Sequence, residues 1–282
     1  MASPALAALL VLGTFPSFWV TLLGLVTAFA GYTAVYALND LVDYRSDREK
    51  MHFEDAASRQ RDLGAVMARH PLAQGLLSLK EGLLWTGGWG AAALLGAWAL
   101  NPVCLLIFFA ACFLEILYCL LWRITPYRAL LNGLVKTTGP LAAVFAVDPK
   151  PSWLFLALVF LLVFFWEIGG QNIPNDWTDV EQDRRLGAKT VPIAFGPEKS
   201  GRMILVSMGA AVFLTLLLFA ASPADFIFPM YLLIAAMGGI LLIWPAVRLR
   251  KNRQDKDAMH LFNAASYYPL ALLAVAAMNL II

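Results

Sequence analysis

Charge is scarce in this chain: 14% of its 282 residues are charged, where an ordinary soluble domain carries about 25%. That shortage excludes a water-soluble globule. With 60% hydrophobic residues and a mean hydropathy of +0.70, too little polar surface remains to cover a core. Net charge is scarce as well, and +2 gives no basic footprint for nucleic acid. Cysteine is limited to Cys104, Cys112 and Cys119, all in apolar runs, with neither zinc spacing nor a disulfide framework. The only histidines, His52, His70 and His260, form no metal-ligand set. The amino-terminal segment lacks the basic stretch and cleavage site of a secretory signal, so no removable peptide is expected.

Apolar runs, in contrast, are abundant. A spanning helix takes roughly 20 mostly apolar residues. Nine candidate spans lie near 3–15, 17–38, 76–100, 103–122, 127–147, 152–174, 203–222, 226–247 and 259–281. The first is short and closely followed by Pro16; either it crosses the bilayer imperfectly or the recorded start lies inside a longer natural helix. The connections after the second, fourth, sixth and eighth runs hold nearly every base, and the opposite ones hold only Lys150. The positive-inside rule therefore puts the even-numbered connections in the cytoplasm, with the N-terminus cytoplasmic and the C-terminus outside.

Half of the aspartates sit in two short segments, Asn39 to Asp47 and Asn175 to Asp183. Both read N-D-x-x-D-x-x-x-D, and both are followed by arginine, Arg48 and Arg184. Each follows a long apolar run, and both fall on the same side of the membrane. The repetition, four helices apart, suggests a duplicated four-helix unit running parallel. The expected fold is an all-α polytopic membrane protein. Its nine transmembrane helices would form two tandem four-helix units plus a final helix around a central cavity. This is a single domain, 1–282, with halves at about 1–147 and 148–282 and cytoplasmic cap loops at 39–75 and 175–202.

At 100° per residue, Asp40, Asp43 and Asp47 fall within an arc of about 60°, with Asn39 beyond Asp43. Asp176, Asp179 and Asp183 repeat the arrangement, with Asn175 at the edge. Like charges at this spacing repel, so two such stacks need a reason. For one motif, a solvated helix end is as good an account as any. The same spacing twice on one side points to a cation. Carboxylate and amide oxygens suit Mg²⁺, which binds through a few carboxylates and substrate phosphates. Two carboxylate faces, two or more Mg²⁺ ions and a diphosphate make a charge-balanced sandwich.

These residues carry a resemblance to the UbiA superfamily of intramembrane prenyltransferases. It rests on the first motif and on D-x-x-D-x-x-x-D-R-R-x-G-A-K-T-V-P from Asp176 to Pro192. Weaker likenesses are Arg69-His70-Pro71-Leu72-Ala73-Gln74-Gly75 to an R-P-L-x-S-G segment, Tyr118 with Arg123 to a Y-x-x-x-x-[KR] helix end, and Leu261, Phe262, Ser266 and Tyr267 to the last helix. The chain departs from the family in a longer stretch between Asp47 and His70. Its segment Lys50–Arg69 reads as an amphipathic helix that would serve as a lid. The resemblance implies that Asn39, Asp40, Asp43, Asp47, Asp176, Asp179 and Asp183 hold Mg²⁺. It also implies that Asp43, Asp47, Asp179 and Asp183 are catalytic. An allylic C–O bond would ionise as metal and basic side chains neutralise the leaving diphosphate. A water-poor chamber would then protect the cation until an acceptor attacks.

Around the motifs, Lys50, Arg184, Arg185 and Lys189 are candidates for diphosphate contact, with topology as the plain alternative. Tyr118 and Arg123 are weighed between phosphate contact and interfacial anchoring. Lys136, Glu115 and Glu167 lie inside spans, where charges usually face a cavity or a partner; Lys136 is assigned to the substrate. Glu167, Gln171, Asn172 and Asn175 form a polar stripe, from which Gln171 and Asn172 are candidates for the acceptor, with helix–helix glue the alternative. The partners implied are a prenyl diphosphate, a small acceptor, most often aromatic in this family as in quinone synthesis, and the lipid bilayer. No obligate protein partner is inferred. The chain is placed in a bacterial inner membrane. Alternatives are a non-aromatic acceptor, cyclisation of the cation, or a cation transporter, which would keep its acids near the midplane. A CDP-alcohol phosphotransferase fits poorly, because its Gly after the second Asp is missing after Asp43 and Asp179.

Overall fold

A computed structural model describes residues 2–53 and 70–281, and every regular element among them is helical. The short α1 (Ala2–Leu12) is followed by α2 (Phe18–Phe53), α3 (Leu79–Leu100), α4 (Pro102–Leu120), α5 (Arg128–Val147) and α6 (Trp153–Thr178). Then come the short α7 (Val180–Arg185), α8 (Val191–Ala220), α9 (Phe228–Asn252) and α10 (Asp255–Ile281). Eight of these are long and apolar enough to cross a membrane. At 11 residues, α1 rises only about 16 Å against a hydrocarbon core of about 30 Å. It packs against α5 and α10. The chain is an integral, multi-pass membrane protein.

Local chemistry sets the hairpins. Ser78 starts α3 through a capping box with Glu81, the Ser78 N–H donating to Oε2 at 2.8 Å. Asn101 both ends α3 and caps α4, accepting the Val103 N–H at 2.9 Å, with Pro102 supplying the first turn. Its amide then donates to the carbonyl of Phe145 at 2.8 Å, tying this corner to α5. Ser152 caps α6 by accepting the Phe155 N–H at 3.1 Å. The densest core lies among α6, α8, α9 and α10, around Ile173, Ile204, Met208, Phe219 and Tyr268.

Three elements differ from the sequence expectation in ways that place the acids. Helix α2 does not end at the first motif but runs on to Phe53, so Asn39 through Asp47 lie on an unbroken helix. The stretch from 39 to 53 contains neither glycine nor proline and alternates acids with bases, so nothing breaks the hydrogen-bond ladder. Helix α6 contains a π turn at Glu167–Asn172 and resumes with Pro174 in its first turn. It stops at Asp179, whose backbone (φ −104°, ψ 6°) breaks the second motif between α6 and α7. Helix α8 begins earlier than its apolar run and is kinked at Gly196 (φ 75°) before Pro197. The expected lid at 50–69 falls largely on residues 54–69, outside the described residues.

Candidate active site

The two motifs meet on one side of the bundle. Gln182, next to Asp183, donates to the backbone carbonyl of Lys50 at 3.2 Å, three residues after Asp47. The Lys50 ammonium lies 3.5 Å from Asp47 Oδ1 and 4.5 Å from the centre of the Trp122 ring. The Trp122 carbonyl accepts the Lys189 N–H at 2.9 Å, drawing the segment after the second motif onto the end of α4.

Helix α2 carries the first half. His70 enters from the far side of the chain segment, and its Nδ1 lies 3.0 Å from Asp40 Oδ1 and 2.8 Å from Asp47 Oδ2. One ring hydrogen cannot serve both oxygens in line, and Asp47 Oδ2 remains buried without a well-aligned donor. Burial disfavours a charged His70, but the ring's attraction to the Asp40 and Asp47 carboxylates, with Asp40 accepting from it, outweighs this and raises its pKa to about 9. On the neighbouring face, Asn39 Nδ2 donates to Glu115 Oε1 at 2.7 Å and to Cys119 Sγ at 3.2 Å. Cys119 also lies beside the Asp43 carboxylate.

Arg128 anchors the second half. Its guanidinium pairs with Asp176 at 3.4 Å, both groups buried, and lies 4.6 Å from the centre of the Tyr118 ring. Arg128 is not singled out by the sequence motifs; its position at the first turn of a span, level with them, is the signal that was available. Asp183 is buried, and its pKa rises to about 6. Burial is the main cause and the Asp176 carboxylate adds to it, while Lys50 and Arg128 act in the opposite direction. A base from α2 and one from α5 therefore act on an acid of the second motif. Asp179 is exposed at the helix break.

The remaining candidates divide. Arg184, Arg185 and Lys189 are exposed at the rim, Arg185 pairing with Glu181 at 3.7 Å. Arg123 is exposed too, paired with Glu49 at the end of α2 and 5.2 Å from the Trp122 ring centre. The expected polar stripe on α6 is split by the π turn. Glu167 accepts from Asn132 at 2.9 Å, and Asn172 donates to Tyr118 Oη at 3.4 Å. Gln171 turns the other way, donating to the Phe262 carbonyl at 3.1 Å and accepting from Ser266 at 3.3 Å. Asn175 is exposed.

Beneath the first motif lies an apolar cavity of about 410 Å³, bounded by α1 through α5. Its lining on α2 runs from Val20 to Tyr36, about 24 Å of helix. Polar groups gather at the motif end: Glu115, and Lys136, whose ammonium donates to Tyr36 Oη at 2.9 Å. Toward the other end the walls are Ala28, Leu25, Val20, Ala143 and Phe15.

Fold and site together define a class: a multi-pass helical membrane protein with paired carboxylate clusters at the head of an apolar channel. Residues 1–267 match the model of the UbiA prenyltransferase family, and the chain belongs to that family. It is 28% identical over 256 residues to the digeranylgeranylglyceryl phosphate synthase of Thermococcus sibiricus, covering 90% of this chain and 82% of that protein. It is also 28% identical over 297 residues to the protoheme IX farnesyltransferase of Gloeobacter violaceus, covering 98% and 88%. Among solved structures, an apo UbiA homolog from Aeropyrum pernix K1 superposes with a TM-score of 0.75 at 19% identity, over 98% of this chain and 95% of that one. A UbiA homolog from Archaeoglobus fulgidus bound to GPP and Mg²⁺ gives 0.69 at 20% identity, over 98% and 94%. These structures show a shared fold.

Proposed function

We propose that the chain is a Mg²⁺-dependent intramembrane prenyltransferase that ionises an isoprenyl diphosphate and transfers the prenyl group to a lipid-soluble acceptor. The observation that carries this reading is the convergence of two acid motifs from separate helices at the head of one apolar channel. The donor set fits a hard divalent cation. Asp47 pairs with Lys50, Asp176 with Arg128, and His70 lies between Asp40 and Asp47, whose buried Oδ2 has no aligned donor among the described residues. Asn39, Asp43, Asp179 and Asp183 would hold Mg²⁺, with Asp40, Asp47 and Asp176 in support. Bound there, Mg²⁺ would neutralise the diphosphate as it leaves.

The protein's own groups have distinct parts in this scheme. Lys50 and Arg128, between the two halves, would face the diphosphate, and Tyr118 holds the Arg128 plane. Arg123, Arg184, Arg185 and Lys189 would form an outer basic rim. The channel would take the prenyl tail and exclude water from the allylic cation. Asn172 keeps a buried Oδ1 without a partner, which supports assigning it to the acceptor; Gln171 is held by α10 and supports it from behind. Lys136, inside the channel mouth, would border the first carbons of the tail. An aromatic acceptor, as in quinone synthesis, is the first reading. A tetrapyrrole and a glycerol lipid, suggested by the names of two relatives, are tried beside it in the assay. The motif side is assigned to the cytoplasm, as the base distribution indicates.

The test is to incubate purified full-length protein with a labelled prenyl diphosphate, Mg²⁺ and a panel of such acceptors. Diphosphate release is expected to be abolished by EDTA and to fall to background in both Asp43→Ala and Asp183→Ala. Undiminished turnover in both variants would sink the assignment.

A further inference from the structure

Two side chains of α4 meet the first motif from below with matching periodicity. Asn39 and Asp43 are one turn apart on α2, and Glu115 and Cys119 are one turn apart on α4. One helix, α3, lies between α2 and α4 in the chain, and α2 packs against both, which sets the two pairs side by side. Glu115 Oε1 and Cys119 Sγ take donations from the Asn39 amide nitrogen at 2.7 and 3.2 Å. Cys119 also lies close enough to the Asp43 carboxylate for the two to interact. The thiol thus accepts from one motif residue and faces the next.

This pattern fixes a direction. An amide has two N–H hydrogens, and α4 supplies an acceptor for each. The carbonyl oxygen of Asn39 is therefore turned away from α4, and no protein donor among the described residues meets it. An amide held only as interhelical glue has no need to keep its oxygen free. A charged side chain at this depth is also costly unless it serves a partner. Ligand-orienting partners of this kind are worth 10–100-fold in metal affinity where they have been removed.

We propose that Glu115 and Cys119 are positioning residues that hold the Asn39 carbonyl oxygen and the Asp43 carboxylate in the geometry a divalent cation requires. The inference rests on the reading of Asn39 and Asp43 as cation ligands. Both residues act through the ligands and touch neither diphosphate nor metal.

The experiment measures Mn²⁺ binding to full-length protein in detergent by electron paramagnetic resonance, with Mn²⁺ standing in for Mg²⁺ at an oxygen site. Thermal unfolding of each variant is followed in parallel. Glu115→Ala and Cys119→Val are expected to weaken Mn²⁺ binding about 10–100-fold. Glu115→Gln and Cys119→Ser keep the acceptor toward Asn39, and Cys119→Ser keeps a polar group facing Asp43. Both should stay within roughly threefold of the parent, a rescue that a merely structural role does not predict. If Glu115→Ala does not fold, the near-isosteric Cys119→Val carries the same test. Parent-like Mn²⁺ affinity in folded Glu115→Ala or Cys119→Val, with affinity lost in Asn39→Ala, overturns the inference and leaves the site reading standing. Parent-like affinity in Asn39→Ala and Asp43→Ala overturns the site reading, and the inference with it.

Discussion

Arg128 shows what a single side chain does in this site. It pairs with Asp176 in a buried contact, and each group would be an uncompensated charge without the other. Arg128→Met is therefore expected to destabilise the protein by about 3–5 kcal/mol, with part of the loss recovered in the Arg128→Met, Asp176→Leu double variant. Thermal unfolding of the purified variants checks both. His70 gives a pH dependence. Its folded pKa is about 9 against an ordinary 6.5, so its contact with Asp40 and Asp47 stabilises the fold fully below 6.5. That stabilisation is lost as pH rises through about 9. In EDTA, the unfolding midpoint should fall across this window, and His70→Asn should flatten the fall. The repeated aspartates could be read from the sequence because their spacing is local. Glu115 stood out only as a charge inside a span, and neither its partner Asn39 nor the pairing of Arg128 with Asp176 could be read, because these partners lie many residues away.

At the level of the helices, glycine decides how closely the π turn packs. A Cβ on Gly169 would lie 2.6 Å from Ser207 Cβ on α8, and one on Gly170 would lie 2.9 Å from Ala265 Cβ on α10. Neither neighbour is the tip of a flexible chain, so relief requires helix movement. Gly169→Val and Gly170→Val are each expected to cost about 1–3 kcal/mol, read as a lower unfolding midpoint. The length of the apolar runs made the long helices visible, since nearly every run became one. It did not reveal the π turn. That turn changes the phase of α6, sending Asn172 toward Tyr118 and Gln171 toward α10, whereas a uniform helix had put both on one polar stripe. The continuation of α2 to Phe53 was missed for a different reason: the apolar run stops before the helix does, and hydropathy marks only the run.

For the whole molecule, the α2 wall of the channel ends at Tyr36, one turn before Asn39, and the sequence carried no measure of the channel's depth. Channel length arises from gaps between helices, to which small residues on several elements contribute. Ala28 lies on the lining about 16 Å along α2 from Asn39. Ala28→Trp should close the path at that level. The ratio of kcat/KM for a long prenyl diphosphate to that for dimethylallyl diphosphate is expected to fall roughly tenfold, about 1.4 kcal/mol of discrimination. Product analysis with diphosphates of graded length makes the measurement.

The unbroken course of α2 has a mechanical consequence. Phe18, Trp19, Val26 and Phe29 project from its first half as exposed apolar side chains, and Asp47 sits on the same rod about 40 Å from Phe18. Helices answer a change in bilayer thickness by tilting. A rod without a hinge passes such a tilt to its far end as a lever does, with the displacement growing along its length. The carboxylates of the first motif thus share one unbroken rod with an exposed apolar end, and a change in the tilt of that rod would carry them relative to the second half of the site.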